Sequence, residues 1–119
     1  MLALSYDEDM GLVRLISSGM VTLDEVEAYR VELIRIVDVA RRHTGRVLMY
    51  VDSTQSTVQT QAAIDALATI PSIAVGPRDR MAVVIHSVLG LLQVKRAMRN
   101  DQERAFITEA EAMAWLIDD

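Results

Sequence analysis

Residues 46 to 52 read RVLMYVD, from Arg46 to Asp52, and residues 80 to 86 read RMAVVIH, from Arg80 to His86. Each sets an unbroken apolar run between polar ends. A strand with one wet face alternates apolar and polar side chains, whereas a continuous run implies cover on both faces, as in the middle of a parallel sheet. The two stretches predict neighbouring central strands that run in the same direction, which would gather their trailing ends, around Asp52 and His86, at one rim.

Working outward from the first run, Leu2–Tyr6 and Leu12–Ser17 are short extended segments joined by DEDMG, a turn composition ending in Gly11, and they predict a hairpin. The face Leu12, Arg14, Ile16 is mixed and predicts incomplete burial. Thr22 with Glu25 forms a capping box that opens a long helix, with Val26, Tyr29, Leu33, Ile36, Val37 and Ala40 at helical spacing. Its other face pairs Glu27 with Arg30, Glu32 with Arg35 and Asp38 with Arg42 at i,i+3 or i,i+4, a solvated pattern. Gly45 suits a left-handed cap.

Beyond Asp52, a second helix is expected over Thr57–Thr69, ended by Pro71, with Gly76 and Pro77 marking a turn. After the second apolar run come a helix over Ser87–Arg99, a short strand over Arg104–Ile107 and a last helix over Glu109–Ile117, capped by Thr108 with Glu111 at N3. Strands alternating with helices predict an α/β fold of four strand–helix units in one domain, residues 1–119. The sheet should be mainly parallel, with Leu2–Tyr6 as an antiparallel edge.

The 119 residues suit one hydrophobic core. Twelve basic against seventeen acidic residues give a net charge of −5, which opposes nucleic acid as a partner. With no cysteine and only two histidines, neither a disulfide framework nor a metal centre is expected. No cofactor-binding glycine motif occurs. No apolar run approaches the roughly 20 residues of a membrane span, and MLALSYDED turns acidic too early for a secretory signal, so a cytoplasmic protein without a transmembrane segment is expected.

The order hairpin, long helix, then further strand–helix units, with GMVTLDEVEAY near the start, RVLMYVD and RMAVVIH as core strands and RAFITEAEAMAWL at the end, resembles the SpoIIAA-like or STAS-like domains. The resemblance spans nearly the whole chain. It implies a superhelix of strand–helix turns and, for the sporulation-type members, antagonism of an anti-sigma factor switched by phosphorylation of a serine; related folds of the SEC14 type carry lipids. The family's switching serine belongs to an Asp-Ser-Ser-Gly type motif at the start of the second helix. Here Asp52, Ser53 and Thr54 come straight off the expected strand, Gln55 stands in place of glycine and the helix is expected to begin at Ser56, so the phosphoserine role is not carried over.

Five hydroxyl side chains fall between Ser53 and Thr60. Ser56 with Gln59 reads as a capping box, a feature worth about 1 kcal/mol. A phosphosite is the competing reading, since free amides and the helix dipole would favour a phosphate there. Asp52, Ser53 and His86 supply the residue types of a hydrolytic triad, yet there is no G-x-S-x-G elbow, no separate orienting acid and no oxyanion loop, so no catalytic residue is expected. His43 reads as a helix-end cation, and Asp7, Glu8 and Asp9 as a hairpin tip rather than a calcium loop.

What remains at the rim is a candidate site for a protein partner or an anion: Asp52, Ser53, Thr54, Ser56, His86 and Ser87. A second candidate surface is the helix SVLGLLQVKRAMR, where Leu89, Leu91, Leu92 and Lys95 could line an apolar ligand pocket or a homodimer interface. Trp115, Tyr50 and Phe106 are expected in the core. The sequence thus predicts a non-enzymatic interaction or regulatory module, homodimeric, with a protein partner of unspecified identity. The alternative is a carrier of an apolar or lipid-like ligand held between Ser87–Arg99 and Ile70–Val75.

Overall fold

A computed structural model describes residues 1–56, 62, 78–97 and 101–118. Five strands form one sheet: β1 (Leu2–Asp7), β2 (Leu12–Gly19), β3 (Leu48–Ser56), β4 (Arg80–Val84) and β5 (Glu103–Phe106). Three helices are described: α1 (Leu23–Thr44), α2 (Val88–Ala97) and α3 (Glu109–Leu116). The helix expected over Thr57–Thr69 and the turn at Gly76 and Pro77 lie outside the described residues.

The sheet order is β1-β2-β3-β4-β5, with β1 antiparallel to β2 and every later pair parallel. Each connection moves one position in the same direction, so the order never reverses and the crevice that a reversal creates in doubly wound sheets has no counterpart here. The two central runs behave as their composition requires. Tyr50 pairs with Ala82 and Asp52 with Val84 in parallel register. Val47 and Met49 enter the core beneath α1, whereas Leu48 and Tyr50 enter the core beneath α3 together with Ala82 and Val84.

Helix α1 starts where expected. The Thr22 hydroxyl accepts from the Glu25 amide at 3.2 Å, and Gly45, at φ 80°, closes the other end by donating its amide to the Arg41 carbonyl. All six residues at helical spacing are buried, each large aliphatic one contributing about 1.5–3 kcal/mol. The three ion pairs on the outer face form as well, but that face is not purely charged: Val31 is 72% exposed and Ile34 55%.

The hairpin forms with Asp7 paired to Leu12, and the Met10 amide donates to the Asp7 carboxylate in the turn. Gly11 takes φ 63°, and a Cβ there would sit 2.8 Å from the Thr44 side chain, so the tip is seated against the end of α1. His43 adds a second tie, its Nδ1 lying 2.9 Å from the Tyr6 hydroxyl. Of the mixed β2 face, Leu12 is fully buried while Ile16 is 46% exposed.

Three expectations need correction. The strand RVLMYVD does not stop at Asp52 but runs on to Ser56 along β2, with Ser18 opposite Gln55 and Gly19 opposite Ser56. Ser53 and Thr54, expected beyond the end of the strand, lie within β3 as the bulge residues between Asp52, which pairs with Ile16, and Gln55, which pairs with Ser18. Gln59, the other half of the expected box at Ser56, lies outside the described residues. Trp115 and Phe106 are not fully interior: both are half-buried and pack against the edge of the core beneath α3, Trp115 with Arg80 and Arg104 against its ring.

Candidate functional site

The rim formed by the carboxyl ends of β3 and β4 carries the residues singled out from the sequence. Asp52 is the last β3 residue paired with β4, opposite Val84. Between Ile16 and Ser18 the β2–β3 register shifts: β3 sets Ser53 and Thr54 where β2 advances by one residue, a bulge. The Asp52 carboxylate fills the disrupted ladder, one oxygen accepting from the Thr54 amide at 2.9 Å and from the Thr54 hydroxyl at 2.7 Å. That is a short-range Asx arrangement. It turns the carboxylate toward its own strand, away from the role of orienting a histidine.

Beyond this point the neighbouring strands part. Residues Gln55 and Ser56 stay with β2. β4 ends at Val84, and the Ile85 amide donates to the Phe106 carbonyl of β5. His86, exposed, and Ser87, half-buried, therefore follow the β5 side, while Ser53 and Thr54, both half-buried, follow the β2 side. The structure brings the two halves of the expected site to one rim and opens a fork between them.

Side chains of alternate β3 residues place Asp52 on the same face as Tyr50 and Leu48, the face covered by α3. Burial, with Glu109 and Asp52 nearby, raises the Tyr50 hydroxyl above its ordinary range, and Arg14, 5.7 Å from the ring centroid, works in the opposite direction. Half-buried Arg14 and exposed Ile16, register partners of Tyr50 and Asp52, extend the rim onto β2. Their alternation with buried Val13 and Leu15 is the signal by which the sequence already marked this face.

The second candidate surface divides. Leu91 and Lys95 of α2 line a cavity of about 620 Å³ against β5 and the start of α3, whereas Leu89 is 67% and Leu92 49% exposed. Glu103, Arg104 and Glu111 share the lining with Phe106 and Ile107, so charge as well as apolar surface faces the space. The other wall expected for an apolar ligand, Ile70–Val75, lies outside the described residues.

The sequence reading did not single out Asp79. It is 2% exposed, and its carboxylate accepts from the Arg41 guanidinium at 2.6 Å and from the Val47 amide at 2.8 Å. The RDR tripeptide at 78–80, charged residues set directly before a buried strand, was the available signal.

No protein-family model and no curated protein matches the chain. Solved structures do. An uncharacterized protein of the DUF3478 family from Shewanella loihica PV-4, described as having a SpoIIAA-like fold, superposes with a TM-score of 0.65 at 15% identity, covering 98% of this chain and 92% of the other. The anti-sigma factor antagonist SpoIIAA in its unphosphorylated form superposes with a TM-score of 0.70 at 12% identity, covering 97% and 96%. The chain has the SpoIIAA-like fold. At these identities the likeness is one of architecture.

Proposed function

We propose that the protein is a non-enzymatic, STAS-like interaction module that engages a protein partner through the rim Asp52–Ser56 and His86–Ser87. The observation that carries this reading is the parallel pairing of β3 with β4, Asp52 opposite Val84, which sets both segments at one end of the sheet. Binding rather than catalysis is supported by the Asp52 carboxylate, engaged by the Thr54 amide and hydroxyl in the bulge. The fold shared with an anti-sigma factor antagonist favours a regulatory partner. The reading extends to a homodimer joined through the exposed leucines of α2, Leu89 and Leu92.

Affinity purification from the native cytoplasm, read by mass spectrometry, tests the rim. A partner should be retained by the wild-type chain and by Arg78→Ala at the opposite rim, and lost with His86→Glu or Ser53→Arg. The same proteins recovered with all four chains would overturn the assignment.

A further inference from the structure

The rim opposite Asp52 and His86, formed by the amino ends of β3, β4 and β5, carries an uneven charge. A cavity of about 490 Å³ opens there, lined by Arg46, Arg78, Arg80 and Arg104 together with Asp79 and Asp101. Asp79 is already engaged: Arg41 pairs with it at 2.6 Å and the Val47 amide donates to it at 2.8 Å. The described lining thus sets four arginines against two aspartates, with Asp118 beside Arg80, in a chain whose net charge is −5.

The cations are also held in place. Arg80 and Arg104 both lie over the Trp115 ring, each 5.4 Å from its centroid. The Nη1 of Arg80 donates to the carbonyls of Trp115 and Asp118, at 2.6 Å each; among the described residues its Nε and Nη2 donors meet no further acceptor. Gln102, also on the lining, fixes the Asp79 backbone by donating to its carbonyl at 3.1 Å. Guanidinium groups restrained on an aromatic plate lose less entropy on binding than mobile ones, and their planar fork matches the oxygens of a phosphoryl group.

We propose that this cavity binds a small molecule bearing a phosphoryl or diphosphoryl group. Its volume is that of a small-ligand site, and the acidic remainder of the surface disfavours an extended polyanion. The site is independent of the partner rim at Asp52 and His86.

Inorganic diphosphate is the probe. Titrated into the 15N-labelled chain at constant ionic strength set with chloride, it should give saturable shifts of the Trp115 indole N–H and of the Arg80 and Arg104 Nε–H signals. The double variant Arg78→Ala/Arg104→Ala removes two exposed side chains and should keep the far-ultraviolet spectrum of the wild type. It should weaken binding at least about tenfold, with Arg104→Lys retaining part of the affinity. Shifts that grow linearly without saturation, or an affinity unchanged in the double variant, would overturn the proposal. So would binding to phosphatidylserine vesicles without any response to diphosphate, which would assign the patch to a membrane surface.

Discussion

Asp79 shows how one buried charge organises the space between α1 and the sheet. Its carboxylate answers Arg41 near the end of α1 and the Val47 amide just before β3, so helix, strand and the approach to β4 are tied at a single point. Replacing it with alanine leaves the Arg41 charge and a buried amide without their acceptor, and Asp79→Ala should cost about 3 kcal/mol. Urea unfolding checks this through a lower midpoint at unchanged slope; a loss below about 1 kcal/mol would mean that water replaces the pair. Tyr29 is the opposite case. Its hydroxyl is buried in the α1 core without a hydrogen-bond partner among the described residues, and burial raises its pKa far above the usual 10. In the unfolded chain the same group ionises near 10, so stability is full below that pH and declines as pH rises beyond it. Tyr29→Phe should leave stability at neutral pH unchanged or raise it by about 1 kcal/mol, and should flatten the alkaline decline. Thermal unfolding between neutral pH and pH 11 measures both.

At the scale of elements, the ends of α1 were legible because caps are local chemistry. Thr22 and Gly45 act through atoms within a few residues of themselves, and no distant neighbour is needed. The stretch Ser53–Ser56 was misread for the complementary reason. Hydroxyl residues in series favour turns when considered alone, but strand propensity depends on what lies alongside. Here Ser18 and Gly19 of β2 extend the ladder, and Asp52 takes up the Thr54 donors that the bulge leaves unpaired. The hairpin tip provides a quantitative contrast between two glycines in the left-handed region. A Cβ at Gly45 meets nothing within 4 Å, whereas one at Gly11 meets the Thr44 methyl at 2.8 Å. Gly45→Ala should cost about 1 kcal/mol from backbone strain alone; Gly11→Ala should cost distinctly more, since the tip must also move off α1. Equal losses in chemical denaturation would show that the contact yields freely.

At the scale of the molecule, the sheet has two ends with different chemistry. One gathers carboxylate, hydroxyl and imidazole groups at the fork between β3 and β4; the other gathers arginines around Trp115. The proposed partner rim and the proposed anion cavity lie at opposite ends of the sheet, so that occupancy of one does not overlap the other. The apolar outer patches bear on assembly. Leu89 and Leu92 are exposed, so Leu89→Glu/Leu92→Glu should leave the unfolding midpoint within about 0.5 kcal/mol of wild type, while converting a dimer to monomer in sedimentation equilibrium. A wild-type chain that sediments as a monomer would remove the dimer from the proposed function.

Residue order alone determined the types of the described elements other than the end of β3, the parallel pairing of the two apolar runs and the buried stripe of α1, because periodicity, capping and continuous hydrophobicity act over a few residues and leave little choice of partner face. Tertiary structure alone decided where charges distant in the chain meet. Arg41 reaches Asp79, Arg80 and Arg104 converge on Trp115, and Ser53 becomes strand. These outcomes depend on which elements lie next to each other and on the low dielectric between them, and neither is written in local pattern.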